Sequence, residues 1–183
     1  MKRAVLILSI LVLFSSLSAQ SQYPYKWSVG GTLGMGVSFS VRYPDFAMGA
    51  TIGFNQSIPE TKWRWGIDVG LMNQGILDYV FDADEPDRFV RPNYEYIGGF
   101  VDYSLFSRDY LAVFARGGLA PAHRSDLFVH HREDSYTCLC QVGIGADFLF
   151  NRFIINGYID PRGSFVLLFS YGWWFGKKSK PRG

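Results

Sequence analysis

The chain has 183 residues, of which 17% are aromatic and 20 are glycine, and its formal net charge is +2. This length suits one domain, and so small a net charge provides no basic field for nucleic acid, so we expect no nucleic-acid partner. Glycine and aromatic residues are both more frequent than is usual in soluble domains, which favours a sheet that faces something other than water.

The first 19 residues have the layout of a secretory signal peptide. Lys2 and Arg3 precede an apolar run over 4–14, and small residues follow as far as Ala19. The alternative, an N-terminal membrane anchor, is less favoured because the run is shorter than the roughly 17 to 25 residues of a spanning helix. We predict cleavage after Ala19, which removes the two basic residues and lowers the formal net charge of the mature chain from +2 to zero.

The mature chain has no segment that could form a membrane-spanning helix. Its longest apolar stretch, 164–176, is too short. The other structure that satisfies its own backbone hydrogen bonds in lipid is a closed β-barrel. Any membrane-spanning part of the mature chain must therefore be a barrel.

Apolar and polar residues alternate along the rest of the chain with a period of two, which is the period of a β-strand. The pattern is clearest over 63–81, where large apolar residues occupy most odd positions and polar residues or glycine occupy most even ones. Eight segments show the alternation: 27–43, 48–54, 63–81, 94–106, 111–119, 141–150, 153–160 and 165–175.

The connections between these segments support a membrane barrel. On one side of the predicted barrel they span 43–46, 82–92, 123–135 and 160–163. On the other side they span 57–62, 107–109 and 151–152. Long external loops and short periplasmic turns are typical of outer-membrane barrels. We therefore predict an all-β fold, an eight-stranded antiparallel up-and-down transmembrane β-barrel over 20–176, followed by a basic periplasmic tail over 177–183.

A soluble β-sandwich or a lipocalin-like barrel is the alternative fold, and it differs in the direction of its apolar face. In those folds the apolar face points inward and the outer face carries charge. Here the polar face is rich in glycine, serine and threonine, which suit a narrow interior, and the large rings suit lipid. The aromatic residues predicted to face lipid are Trp63, Trp65, Tyr79, Phe165, Phe169, Tyr171, Trp173 and Phe175.

The inward face carries charged and amide side chains. An eight-stranded barrel is just wide enough for side chains to fill, and buried charges must be paired. The sequence therefore predicts a polar network that fills the lumen, in preference to an ion path. Its members are Arg64, Asp68, Asp102, Arg116, Gln141, Asp147 and Asn156.

Two predicted external loops contain residue types that could carry chemistry. The loop over 82–92 holds four acidic residues, but their spacing is not that of a calcium-binding loop, so we expect a solvated loop and no metal. The loop over 123–135 suggests an alternative function, a small barrel enzyme that modifies lipid A by acyl transfer or deacylation. Its candidate catalytic residues are His123, Ser125, Asp126 and His130.

An exposed polar loop is the favoured interpretation of that second segment, because nothing in the sequence fixes these groups in the geometry of an acyl-transfer site. We therefore predict no enzymatic activity and no cofactor. Cys138 and Cys140 lie on one face of a predicted strand, where their sulfur atoms are too far apart for an easy disulfide.

Two segments carry a resemblance to known families: NYEYIGGFVDYSLFSRDYLAVFARGGLAPAHR (93–124) and GIGADFLFNRFIINGYIDPRGSF (143–165). They resemble hairpins of the PorT-like and OmpX-like outer-membrane β-barrel families. The resemblance implies residence in the cell outer membrane and, in the PorT-like branch, a role in protein secretion. It transfers no catalytic residue.

From these observations we expect a monomeric, noncatalytic outer-membrane barrel with a structural, binding or assembly role. Its expected partners are membrane lipid, lipopolysaccharide and envelope or secretion proteins. The surfaces expected to contact them are the external loops and the basic residues of the tail, which are Lys177, Lys178, Lys180 and Arg182.

Overall fold

The computed structural model describes residues 25–39, 44–74, 91–108, 110–127 and 132–178. Several predictions fall outside these ranges. They concern the signal peptide over 1–19, the acidic residues of 82–87, Tyr79, His130 and the end of the tail.

Eight antiparallel strands form one closed barrel. Each strand pairs with the next along the chain, and β8 pairs with β1 to close the sheet. The prediction of an eight-stranded up-and-down barrel is confirmed. The strands are β1 Tyr25–Phe39, β2 Pro44–Ser57, β3 Trp63–Gln74, β4 Arg91–Arg108, β5 Leu111–Leu127, β6 Arg132–Phe148, β7 Asn151–Asp160 and β8 Ser164–Lys178.

The strands alternate between an exposed outer face and a buried inner face. Along β3 every odd residue from Trp63 is exposed and every even residue is buried. The exposed side chains are large and apolar, as at Leu33 (67% exposed), Ile52 (71%) and Ile97 (64%). This distribution is the reverse of that in a water-soluble barrel, whose apolar face points inward.

Glycines on the inner face make room for aromatic rings. Gly70 lies opposite Tyr96 on the neighbouring strand, and a Cβ atom added to this glycine would lie 2.4 Å from the ring. Gly145 has the same relation to Phe114, at 2.5 Å. The glycine-rich inner face therefore leaves space for rings that reach across from adjacent strands.

The loop predicted over 123–135 is much shorter than expected. β5 continues to Leu127 and β6 begins at Arg132, and the two strands pair without a register shift along their whole length. The prediction ended these strands where their apolar residues end. That was wrong, because backbone hydrogen bonds extend a hairpin through polar residues as readily as through apolar ones.

The hairpin turn predicted at 151–152 was also misplaced. The turn consists of Leu149 and Phe150, and Leu149 has a left-handed backbone with φ of 54°. Arg152 therefore belongs to β7, where it pairs with Asp147 on β6. Asparagine and glycine are the residues usually expected in left-handed turns. The prediction therefore placed the turn at Asn151, two residues too far along the chain.

Smaller differences affect three other strand ends. β2 begins at Pro44 and β4 extends to Arg108, both within predicted turns, and β8 extends to Lys178, within the predicted tail. A register shift in the pairing of β4 with β5 lies between Ser104 and Phe106. No helix within the described ranges is long and apolar enough to cross a membrane.

Candidate functional site

The lumen near the chain termini contains a compact ion-pair network. Asp102 accepts hydrogen bonds from two arginines, from Arg64 Nη2 at 2.6 Å and from Arg116 Nε at 2.7 Å. Asp147 also accepts two, from Arg64 Nη1 at 2.6 Å and from Arg152 Nη2 at 2.8 Å. All five side chains are buried, and buried charges are tolerated when they are paired in this way.

A third aspartate completes the charge balance. Asp68 is buried, and its Oδ2 lies 4.0 Å from Arg116 Nη1. Three arginines therefore face three aspartates in this part of the lumen. Sequence reasoning missed Arg152 because it assigned this residue to a turn. A turn predicted two residues earlier would have placed Arg152 on the inner face of β7.

The guanidinium groups also lie against aromatic rings, an arrangement that stabilises arginine through cation–π contact. The distances from the guanidinium carbon to the ring centroid are 3.5 Å for Arg116 over Phe100, 3.8 Å for Arg152 over Trp174 and 4.7 Å for Arg64 over Phe114. Rings and guanidinium groups together occupy the lumen at this level.

The middle of the lumen is filled by tyrosines and amides. The hydroxyl groups of Tyr96 and Tyr158 are 3.0 Å apart. Gln141 Nε2 and Asn156 Nδ2 donate to the Tyr158 hydroxyl at 3.4 and 3.5 Å. A cluster of buried apolar residues surrounds these tyrosines: Ala47, Met72, Ala120, Ala122, Leu139, Val166 and Leu168. This apolar layer was not predicted, and it interrupts the polar lining.

Asp160 organises the loop end of the barrel. Its carboxylate accepts hydrogen bonds from the Tyr94 hydroxyl at 2.8 Å and from Arg124 Nη1 at 2.8 Å. It also accepts from Thr137 Oγ1 at 2.9 Å and from the Arg162 backbone N–H at 3.0 Å. One buried side chain thus connects β4, β5 and β6 to the turn between β7 and β8. A period of two puts Asp160 on the same face as Asn156, but it does not reveal these partners.

All seven polar residues predicted for the lumen are buried, with side chains inside the barrel. The predicted lipid-facing aromatics that the structure describes lie on the outer face. Six are exposed, and Phe165 is half-buried because its ring stacks on Phe39 at 6.0 Å.

The candidate catalytic residues of β5 are not arranged for acyl transfer. His123 directs Nδ1 toward Glu95 at 3.8 Å and Nε2 toward Asp134 at 3.6 Å. Asp126 instead accepts a hydrogen bond from Arg124 Nε at 2.7 Å. A serine nucleophile requires a histidine nitrogen within hydrogen-bonding reach, and here both ring nitrogens face carboxylates.

The two cysteines lie on the outer face of β6. Both are free thiols, and both are exposed. Within the described ranges, no group of three or more histidine, cysteine or acidic residues could hold a metal ion.

Comparisons with known proteins show similarity at the level of the fold. No family model matches the chain, and no curated protein matches it. The solved structure of neisserial surface protein A is similar with a TM-score of 0.61 at 9% identity, over 81% of this chain and 96% of that one. Ail, the attachment invasion locus protein of Yersinia pestis, is similar with a TM-score of 0.52 at 9% identity, over 82% of this chain and 99% of that one.

Proposed function

We propose that the protein is a noncatalytic barrel of the cell outer membrane, with its lumen filled and with a structural, binding or assembly role exercised at its loop end. The observation that carries this proposal is the exposed apolar wall. Soluble monomers rarely expose a contiguous apolar patch larger than a few hundred Å². Here apolar side chains such as Leu33, Ile52 and Ile97 are more than half exposed on three different strands.

The distribution of outer residues along the barrel supports membrane insertion. The outward positions of β3 between Trp63 and Leu71 are all apolar. The charged residues Glu95, His123 and Asp134 lie on the outer face at the loop-end limit of this band, where Glu95 pairs with Leu71. Aromatic girdles flank the apolar band of outer-membrane barrels, and several rings lie near the chain termini: Trp27, Trp63, Trp65, Tyr103, Tyr110, Trp173 and Phe175.

The proposal includes partners at both ends of the barrel. Lipopolysaccharide and envelope proteins would meet the loop end, and the basic tail would meet periplasmic components. The PorT-like resemblance favours a link to protein secretion. Deletion of 179–183, the part of the tail that follows β8, should leave the barrel inserted while weakening a periplasmic complex; normal complex formation without these residues would confine binding to the loop end.

Fractionation tests the location. The mature protein should sediment with the outer membrane and should migrate faster on gels when it is not boiled, because an intact barrel remains compact in detergent. Recovery from the soluble periplasmic fraction would contradict the proposal.

Thiol labelling tests the orientation of the wall, in a background in which Cys138 and Cys140 are replaced by serine. Val69→Cys, on the outer face, should react with a lipid-soluble reagent and resist a membrane-impermeant one. Thr32→Cys, buried at a similar height, should resist both reagents. Tyr136→Cys provides the water-exposed reference, since Tyr136 is 80% exposed at the loop end. Equal aqueous reactivity at Val69→Cys and Tyr136→Cys would show that the apolar wall faces water.

A further inference from the structure

Three buried hydrogen-bond donors in the lumen near the chain termini have no partner among the described residues. They are Arg152 Nη1, the indole Nε1 of Trp174 and Asn55 Nδ2. Their side chains are 1%, 5% and 1% exposed, so bulk water does not surround them. Buried polar groups in native proteins are nearly always hydrogen-bonded, and each exception calls for an explanation such as a bound ion.

The three donors lie close together across the closure of the barrel, on β7, β8 and β2. The guanidinium carbon of Arg152 is 3.8 Å from the centroid of the Trp174 ring. This ring extends over β1 as far as β2, where a Cβ atom added to Gly53 would lie 3.2 Å from its Cη2 atom. Asn55 is the next inward residue after Gly53 on β2, so its amide lies one inward position from the ring.

The other polar atoms of these side chains are already bonded. Arg152 donates to Asp147 through Nε and Nη2, and the Nη2 bond is 2.8 Å long, which leaves Nη1 away from that carboxylate. Asn55 Oδ1 accepts a hydrogen bond from Ser28 Oγ at 2.8 Å, so its amide nitrogen remains. Guanidinium and indole N–H groups donate and never accept. A ligand among these groups must therefore be an acceptor, and an anion accepts from all three donors without requiring acceptors of its own.

The ion-pair network leaves excess positive charge on the Arg152 side. Asp147 is hydrogen-bonded to Arg152 and is shared with Arg64. The aspartate that completes the charge balance, Asp68, lies instead beside Arg116, at 4.0 Å. Arg152 therefore has a shared counter-charge, and a single negative charge near Nη1 would compensate it.

We propose that this end of the lumen binds a small monovalent anion, chloride under cellular conditions, between Arg152 Nη1, Trp174 Nε1 and Asn55 Nδ2. A monovalent ion matches one incompletely paired guanidinium, whereas a buried divalent oxyanion would itself carry unpaired charge. Basic side chains predominate among the described charged residues at this rim of the barrel, which raises the local anion concentration. They are Lys26, Lys62 and Arg108, against Glu60.

Bromide, which scatters X-rays anomalously, tests the position of the ion. The protein is refolded in detergent and crystallised from sodium bromide in place of chloride. An anomalous peak should appear in the lumen within hydrogen-bonding distance of Arg152 Nη1 and Trp174 Nε1, and it should be absent from Trp174→Phe crystals. A lumen without a bromide peak would overturn the proposal, because water or another acceptor would then satisfy the donors.

Unfolding in urea measures whether chloride binds in solution. Chloride is exchanged for gluconate at constant ionic strength, with the protein in lipid vesicles. Above the dissociation constant, each tenfold rise in chloride should lower the unfolding equilibrium constant about tenfold, because the ion binds the folded state. A bromide peak without any chloride dependence of stability would be binding at crystal concentration only, and it would also overturn the proposal.

Two tryptophan variants form a matched pair for this titration. Trp174→Phe keeps a ring beneath the guanidinium and removes the indole donor, so it should weaken chloride binding at least tenfold. Trp173→Phe makes the same change on the outer face, where Trp173 is 53% exposed, and it should leave the chloride dependence unchanged. Equal chloride dependence in the two variants would refute the site.

Asn55→Asp tests the third donor. The substitution keeps the size of the side chain and supplies a fixed negative charge beside the other two donors. It should remove the chloride dependence of stability, because the carboxylate takes the place of the ion. Unchanged dependence would exclude Asn55 from the site and overturn the three-donor geometry.

The anion site goes beyond the proposed function, and the two fail separately. A barrel that inserts into the outer membrane but shows neither a lumenal halide nor a chloride dependence would refute the anion site alone. A protein that stays soluble and folded without lipid would refute the membrane location.

Discussion

Asp102 shows how single residues maintain a filled lumen. This carboxylate is fully buried and accepts hydrogen bonds from both Arg64 and Arg116. Its inward position could be predicted from the alternation of β4, and its charge implied an arginine partner. The identity of those partners depends on register across several strands, and no local pattern in the sequence contains that information.

Replacing Asp102 by asparagine should destabilise the barrel strongly. The change keeps the size of the side chain but leaves two buried guanidinium groups without a full counter-charge, which typically costs about 3 to 5 kcal/mol. Asp68→Asn is the matched control, since Asp68 is buried but lies 4.0 Å from its arginine, and it should cost clearly less. Urea unfolding in lipid vesicles measures both variants. Equal losses of unfolding free energy in Asp102→Asn and Asp68→Asn would contradict the central role of Asp102 in the network.

Individual strands and turns show where sequence reasoning succeeds and where it stops. The period of two predicted the inner and outer faces of β3, β5 and β8 correctly. Successive residues of a strand point to opposite faces, and only one of these faces is buried. The ends of β5 and β6 could not be predicted, since the alternation of apolar and polar residues stops before these strands end. The turn at Leu149 was missed because residue preference pointed to Asn151, whereas pairing of Asp147 with Arg152 determines the register.

Filling the space above an inner glycine should destabilise the sheet. A Cβ at Gly70 would lie 2.4 Å from the Tyr96 ring, so Gly70→Ala should cost about 1 to 3 kcal/mol through overpacking. Gly99→Ala is the control, because a Cβ at Gly99 meets nothing within 4 Å. Adding Tyr96→Ala to Gly70→Ala should reduce the effect of the glycine change. If Gly70→Ala lowers the free energy of unfolding no more than Gly99→Ala does, the Tyr96 ring does not pack over Gly70 as described.

The turn between β6 and β7 should prefer glycine at one position only. Leu149 has φ of 54°, a conformation that costs residues with a Cβ about 1 to 2 kcal/mol. Leu149→Gly should therefore be about 1 kcal/mol more stable than Leu149→Ala, since both variants lack the leucine side chain. At Phe150 the order should reverse, with alanine more stable than glycine. The same order at both positions would place the left-handed residue elsewhere.

At the scale of the whole molecule, the filled lumen predicts the absence of a stable large channel. Among the described residues, ion pairs, rings and an apolar layer occupy successive levels of the barrel, and we expect them to leave no continuous water column. In planar bilayers the protein should give no steady porin-like current. Truncating the rings that hold the guanidinium groups, with Phe100→Ala and Trp174→Ala together, should allow a small conductance. A steady current in the unmodified protein that Arg116→Met abolishes would show that the network is an ion path.

In the described part of the loop end, His123, Ser125 and Asp126 are not arranged for acyl transfer, which leads to a prediction about lipid A. If the barrel were a lipid A-modifying enzyme, the mass spectrum of lipid A would shift by one acyl chain when cells produce the protein. The shift would disappear with His123→Ala or Ser125→Ala, because catalytic groups act as a unit. We expect no shift in any of the three strains, since the ring nitrogens of His123 face Glu95 and Asp134 instead of a nucleophile. A shift that either substitution removes would establish catalysis on the outer wall of β5 and would refute a purely noncatalytic barrel.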